Sequence, residues 1–437
     1  MVKVCDAIMG SGKSQSAIRY MDTHPEKKFI YISPYVDDGP IIQERCTSRP
    51  FVLPLHLPAY NFSKTEHCRT LLEHGKNVAC THELFKRYDA SILETIRQQQ
   101  YTLIIDEEVN VMEECNIHPQ DLEMLIASGY VEEGEDGDLT ATGRDYGGSF
   151  KDFLQVLRTR KLHRCEDEDG AKYFYWQLPP DLLQAFEDVF ILTYLFECQD
   201  IKYMLDISDI PYEHIFIRRT EDGGYGFSPT PSYLPEYVSR LSSMIDIYEG
   251  DNLNAIGRPT RPNECPLSMR WLARDNERTA TLRKNLVNYF TNYTEHAPAE
   301  EKMWATYSDT YQQKLSRRGY ANGFLVFNKR GSNEYRHKKW LAYCVNLYMS
   351  PRAKNYYSKH KIIPDEGERA LSTMIQWIWR SAIRDGQPIH IYIPSERMRN
   401  LLKDWIARVE ADAVSGRWAQ HGQEFEGDIS PTEAIAS

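Results

Sequence analysis

Residues 7–14 read Ala-Ile-Met-Gly-Ser-Gly-Lys-Ser, and no other stretch of the 437-residue chain narrows its possible folds so far. Successive backbone N–H groups in such a loop wrap an anionic phosphate, and Gly10 and Gly12 let the backbone curl close to it. Lys13 is placed to reach the β- and γ-phosphates of a nucleotide, and the Ser14 hydroxyl to ligate Mg²⁺. The motif needs a strand before it and a helix after it. Val2–Cys5 reads as that strand and Gln15–Met21 as that helix. Ala7, Met9, Gly10, Ser11, Gly12, Lys13 and Ser14 are therefore the candidate ATP contacts, with Lys13 also catalytic. A glycine-rich turn that merely caps a helix is the bland alternative, and the loop needs a partner motif to outweigh it.

That partner follows about 90 residues later. Tyr101-Thr-Leu-Ile-Ile-Asp106-Glu107-Glu108 is an apolar strand that ends in acids. Ligands of an open α/β sheet bind at such strand ends. Asp106 is expected to hold Mg²⁺, and Glu107 to orient and deprotonate the attacking water. A third signal is Gln376-Trp-Ile-Trp-Arg380-Ser-Ala-Ile-Arg384. On a continuous helix Gln376, Arg380 and Arg384 fall on one stripe, with Ile375, Ile378, Trp379 and Ala382 facing inward. A Gln and two Arg presented together suit a γ-phosphate approached from a second lobe. A solvated cationic face is the alternative.

Charge is distributed unevenly. The chain has 52 Lys+Arg against 63 Asp+Glu, a formal charge of −11. Residues 98–143 hold twelve acids and no Lys or Arg, whereas residues 314–361 hold twelve Lys/Arg and only Glu334 as an acid. A basic stretch on an acidic protein is consistent with a polyanion groove. This stretch also carries nine aromatics from Tyr320 to Tyr357, and cations interleaved with aromatics suit single-stranded nucleic acid. Most of those rings are expected in the core, Phe324 and Phe327 on a strand and Trp340, Tyr343 and Tyr348 on a helix. The nine cysteines never form Cys-x-x-Cys, which excludes an obvious zinc ribbon and points to a reducing, cytoplasmic setting. The longest strongly apolar run, Val189 to Phe196, is far too short to span a bilayer.

Short apolar runs at Lys28–Ile32, Asn77–Cys80, Tyr101–Ile105 and Val189–Leu195 alternate with helix-like stretches, the pattern of a buried parallel sheet. A Gly- and acid-rich stretch opens an insertion at about 129–180, with helix-like Phe150–Arg160 and strand-like Tyr173–Trp176. A second α/β region carries strand-like Gly323–Phe327, a helix over Leu371–Arg384 and strand-like Pro388–Ile393. The expected division is 1–205, 206–415 and a flexible tail 416–437.

The ordered set Ala7–Ser14, Ser33-Pro34-Tyr35, Thr81-His82, Asp106-Glu107, Ile191-Leu192-Thr193 and Gln376…Arg380…Arg384 resembles the superfamily 2 helicases. It is most similar to the compact DEAD/DEAH-like helicases that tailed phages encode. Residues 370–402 resemble the family's C-terminal signature, and Lys329–Arg336 its block between the second lobe's strand and its arginine helix. The resemblance implies an α/β fold of two RecA-like P-loop lobes with parallel sheets and an insertion in the first. It implies ATP and Mg²⁺ as cofactors, and a nucleic-acid-stimulated ATPase that translocates or unwinds, with DNA in phage replication or recombination as the leading setting and RNA the alternative. It places nucleic-acid contacts at Ser33, Pro34, Tyr35, Thr81, His82, Arg330, Asn333 and Arg336, and lobe coupling at Thr193. Strand-to-helix turn chemistry is the alternative at Ser33–Tyr35 and Thr81-His82, and His82 is not read as catalytic. The sequence also departs from the pattern. Arg384 sits eight rather than seven residues after Gln376, leaving open which arginine faces the phosphate. The acidic motif reads Asp-Glu-Glu-Val, outside the two RNA-helicase subgroups. A nucleotide-gated nucleic-acid binder that does not unwind is the rival from another class. A packaging motor would need a nuclease lobe with clustered acids, and a small-molecule kinase would not need the second lobe's Gln and Arg.

Overall fold

The computed structural model describes residues 1–34, 38–134, 137–166, 170–274, 276–307, 309–328 and 334–419. They form two compact units. The first holds Met1–Ala7, Gly12–Pro229 and Ser350–Pro364; the second holds Ile8–Ser11, Thr230–Met349 and the chain from Asp365 on. The division thus falls later than 205/206, and the segment Ser350–Pro364 returns to the first unit.

The first unit is built on seven parallel strands, taken here in chain order: β1 (Val2–Asp6), β2 (Lys28–Ser33), β3 (Phe51–Val52), β4 (Asn77–Thr81) and β5 (Tyr101–Asp106). An inserted block supplies β6 (Met112–Cys115), β7 (Val131–Glu133), β8 (Asp138–Ala141), β9 (Lys161–Glu166) and β10 (Lys172–Gln177), before β11 (Val189–Thr193) and β12 (Tyr212–His214) complete the main sheet. Its order is β12-β1-β11-β5-β2-β4-β3. The central strands are apolar on both faces because helices cover both. Tyr101 to Ile105 are all buried, as are Val189 to Thr193. Strand interiors therefore read as continuous apolar runs, and the polar residues collect where the strands end.

The insertion is a separate antiparallel sheet, β6-β10-β9-β8-β7, over its own core of Leu122, Leu125, Leu139, Leu154, Leu162 and Phe174. It begins at Met112, earlier than the expected 129, because β6 pairs with β10 some sixty residues further along. After β12 comes a two-stranded hairpin, β13 (Phe216–Arg219) and β14 (Tyr225–Ser228).

In the second unit four parallel strands run in the order β15 (Ile245–Ile247), β18 (Ile389–Tyr392), β17 (Trp340–Tyr343), β16 (Lys302–Ala305). Trp304, Trp340, Tyr289, Leu286 and Tyr392 fill its core. The strand expected at 388–393 is β18. The one expected at Gly323–Phe327 is absent: Ala321–Gly323 is a 3₁₀ turn, and Phe324 makes a single bridge to Trp304. Trp340 and Tyr343 lie on β17, not on a helix.

The helix expected over Leu371–Arg384 is Glu366–Ile378. Its start is fixed by Asp365, whose carboxylate accepts from the Glu368 N–H at 2.8 Å. Its end is set by a change of partner: the N–H groups of Arg380 and Ser381 turn to carbonyls three residues back, and the Ser381 hydroxyl donates to the Ile378 carbonyl at 2.6 Å. Ala382 N–H then donates to Lys338 O at 2.9 Å, tying the chain to the segment before β17. Of the expected tail, residues 420–437 lie outside the described residues; the preceding helix Glu396–Ser415 stops at Gly416, whose φ of 72° is the usual glycine stop.

Candidate nucleotide site

Parallel pairing brings the carboxyl ends of the main strands into register. Asp6 lies opposite Thr193, Leu192 opposite Asp106, and Ser33 opposite Thr81. Every first-unit motif picked out from the sequence thus arrives at one edge of one sheet, the edge where ligands of such folds bind.

The phosphate loop leaves β1 at Ala7, whose N–H donates to Thr193 O at 3.0 Å. Gly10 and Gly12 adopt φ of 75° and 93°, left-handed values that an L side chain rarely takes. Gly12 is the N-cap of helix α1 (Lys13–Thr23), and its carbonyl receives Ser16 N–H at 2.8 Å. Ser11 is buried, and its N–H donates to Ile8 O at 3.3 Å. Lys13 folds back so that its ammonium donates to the Ala7 carbonyl. Burial pushes the Lys13 ammonium pKa down, opposed by the charges of Cys5, Asp6, Asp106 and Glu107. A cation held half-buried over a loop of N–H groups is matched by a bound polyanion.

Gly12 also has no room for a side chain: a Cβ there would collide with the ring of Tyr225. Gly12→Ala is therefore expected to destabilise the first unit by about 1–3 kcal/mol through overpacking, with the left-handed backbone adding about 1–2 kcal/mol. Thermal unfolding read beside nucleotide binding checks this; an unchanged melting temperature contradicts it.

Ser14 Oγ donates to Asp106 Oδ2 at 3.1 Å, and the Tyr31 hydroxyl donates to the same oxygen. Burial pushes the Asp106 carboxyl pKa up; the Glu107 charge adds to this, while Tyr31, Ser14 and Lys13 oppose it. A hydroxyl and a carboxylate in contact are hard oxygen donors of the kind Mg²⁺ takes when phosphates and waters complete its shell. The residues fit that ion as two ligands, Ser14 and Asp106. No group of three or more His, Cys, Asp or Glu able to hold a metal occurs among the described residues. No disulfide joins the nine cysteines, and eight of them are buried.

Glu107 follows with φ 63°, and its N–H donates to Leu192 O at 3.0 Å. A non-glycine residue in that region is uncommon, and here it turns the chain sharply at the strand end beside Asp106. His82 is buried and its Nε2 lies 3.1 Å from the Asp106 carbonyl, a structural contact with the strand end. Thr81 caps the short helix that follows, accepting from Leu84 N–H at 3.3 Å. Ser33 is buried and Pro34 half-buried directly after β2; Tyr35 lies outside the described residues. Thr193 is buried and exchanges hydrogen bonds with the Gln199 carboxamide at 2.6 and 3.0 Å.

Sequence reasoning missed two further residues. Asp6, the last residue of β1, accepts from the N–H groups of Leu195 and Phe196 at 2.9 and 3.0 Å, locking the chain after Thr193 to the phosphate-loop strand. Burial pushes its carboxyl up, partly countered by Phe196 N–H and Lys13. An acid ending an apolar strand immediately before the loop was the available signal. Tyr31, buried on β2, left no local signal because its partner lies 75 residues away.

In the second unit Gln376 is half-buried on the helix Glu366–Ile378 and donates to Ser372 Oγ at 3.4 Å. Arg380 sits in the turn beyond that helix and is buried, whereas Arg384 is exposed on the 3₁₀ turn Ala382–Asp385. The single stripe expected of Gln376, Arg380 and Arg384 does not exist, because the helix stops before either arginine. Arg336 is exposed and pairs with Asp385 at 3.2 Å, next to Arg384. Arg330 and Asn333 lie outside the described residues. The basic stretch 314–361 is not one surface: its last part belongs to the first unit, where Arg352 pairs with Glu114 at 2.6 Å, and Lys338 is buried in the second.

Residues 239–406 match the model of the YonV C-terminal Rossmann-like domain. The SPbeta prophage-derived protein YonV of Bacillus subtilis (strain 168) is 35% identical over 414 residues, covering 93% of this chain and 98% of the relative. The chain belongs to the YonV family. Among solved structures, an XPD helicase superposes with a TM-score of 0.50 at 9% identity, covering 92% of this chain and 94% of that one. The S. tokodaii Xpd4 structure gives 0.47 at 12% identity, with the same coverages. At 9% identity the likeness to the XPD helicase is one of fold: this YonV-family chain is an α/β protein of two units, each with a parallel sheet, the first carrying an insertion. No helix among its described residues is long and apolar enough to cross a membrane.

Proposed function

We propose that this YonV-family protein is an ATP-dependent nucleic-acid translocase or helicase of superfamily 2 type, acting on DNA in phage replication or recombination. The observation that carries the reading is the meeting of Ser14, Asp106, Glu107 and Thr193 with the phosphate loop on one sheet edge. Each residue then has a task. The loop N–H groups and Lys13 hold the phosphates, and Ser14 and Asp106 hold the Mg²⁺ that neutralises their charge. Glu107 orients the attacking water and takes its proton. Thr193, joined to Ala7 through its carbonyl and to Gln199 through its hydroxyl, passes the change at the phosphates to the next segment of chain. Gln376 and an arginine are assigned to the γ-phosphate, and Ser33, Pro34, Tyr35, Thr81, His82, Arg330, Asn333 and Arg336 to the strand contacts.

A nucleotide-gated binder needs the loop and the metal ligands but no water-activating base, and Glu107 favours turnover. Release of a labelled strand from a forked DNA duplex separates the two. The expected result is displacement that requires hydrolysable ATP and vanishes in Lys13→Ala. An ATP-dependent change in single-strand affinity without displacement supports the gated binder instead.

A further inference from the structure

The hairpin β13–β14 is fastened to the nucleotide end of the first unit more firmly than a connecting loop requires. Its Phe227 stacks on Phe190 of β11, centroids 5.4 Å apart. Asp222 at its turn receives Arg19 of α1 at 2.7 Å, and Ile215, just before it, donates its N–H to Val4 O of β1 at 2.9 Å. This fastening presses the ring of Tyr225 onto Gly12, the residue that caps α1 and starts the phosphate-binding turn. Arg219 lies directly across the hairpin from Tyr225, with its guanidinium carbon 4.1 Å from the ring centroid. Its Nη1 is steadied by Gly223 O at 2.8 Å. Tyr225 is half-buried and Arg219 exposed, so the two flat groups form a stack with a cationic outer layer beside the loop.

We propose that Arg219 and Tyr225 are the platform on which the base of the bound nucleotide stacks, and that the platform prefers purines without separating adenine from guanine. The inference rests on the reading of residues 7–14 as a nucleotide loop. The ribose holds a base close to its first phosphate, so the surface that recognises it must stand beside the phosphate loop; this stack does. A guanidinium plane stacks on aromatic rings, more strongly on larger ones, and offers hydrogen-bond donors but no acceptor. It selects by ring size, whereas reading adenine against guanine requires donors and acceptors aimed at the base edge.

Equilibrium binding of mant-ATP and mant-GTP to the full chain, with CTP and inorganic tripolyphosphate as competitors, tests this. The wild type is expected to bind ATP and GTP within about tenfold of each other and CTP more weakly. Tyr225→Leu keeps bulk against Gly12 but removes the ring that holds the Arg219 guanidinium flat beneath the base, and should weaken both purine nucleotides about tenfold. Tyr225→Phe should restore them, Arg219→Ala should weaken them, and tripolyphosphate should compete equally with all these proteins. Equal losses for tripolyphosphate would make Tyr225 a buttress of the loop and overturn the proposal. So would purine affinity unmoved by Tyr225→Leu, or a hundredfold rejection of GTP. Binding indifferent to Lys13→Ala would instead remove the nucleotide loop itself, and the platform with it.

Discussion

Replacing Glu107 by Gln leaves nucleotide binding in place and lowers ATP turnover by about 10²–10⁴-fold, the usual worth of a positioned general base. The backbone argues for the size of the effect. Glu107 holds φ 63° with its N–H committed to Leu192 O, so its position is fixed by β11 rather than by a mobile loop. The substitution keeps the shape and removes one negative charge from beside Asp106, whose carboxyl that charge helps to push up. Binding of the anionic phosphates should therefore hold or tighten while the chemical step fails. Single-turnover hydrolysis beside a mant-ATP titration separates the two; normal turnover removes Glu107 as the base.

Arg380→Ala is expected to cost on the order of 10³-fold in hydrolysis, and Arg384→Ala far less. Helix termination at Ile378 places the two arginines in different surroundings, Arg380 buried and Arg384 exposed. A guanidinium already withdrawn from water acts on a phosphate at greater strength than one screened by solvent. Arg384, next to the Arg336–Asp385 pair, sits where strand contacts are proposed. Its loss should show in nucleic-acid affinity and salt dependence instead. Hydrolysis rates of both variants, with circular dichroism to confirm folding, decide the assignment; a rate unchanged in Arg380→Ala transfers the role to Arg384.

What the sequence disclosed and what it hid divide by range. The phosphate loop and the four apolar runs, the acid-ended strand among them, are contiguous, so local pattern sufficed for them. Parallel pairing then had only one way to gather their polar ends. The arginine stripe failed because the Ser381 hydroxyl and the Ala382–Lys338 bond end the helix, and the latter is tertiary. The basic stretch 314–361 read as one groove because composition carries no topology; Ser350–Pro364 crosses back to the first unit. There Tyr357 donates its hydroxyl to Asp200, a partner 157 positions away. The insertion began earlier than its Gly-rich signal because β6, short and half-exposed, is defined only by its pairing with β10. Tyr31 went unnoticed for the same reason, since it acts on a segment 75 residues away, whereas Asp6 was visible as an acid ending an apolar strand.

The central claim is that nucleotide hydrolysis here is coupled to nucleic acid. ATP hydrolysis measured alone, with single-stranded DNA and with single-stranded RNA, beside Lys13→Ala as the blank, tests it most directly. The account predicts strong stimulation by a polymer, lost in Lys13→Ala, with the better polymer naming the substrate. Hydrolysis indifferent to every polymer would contradict it.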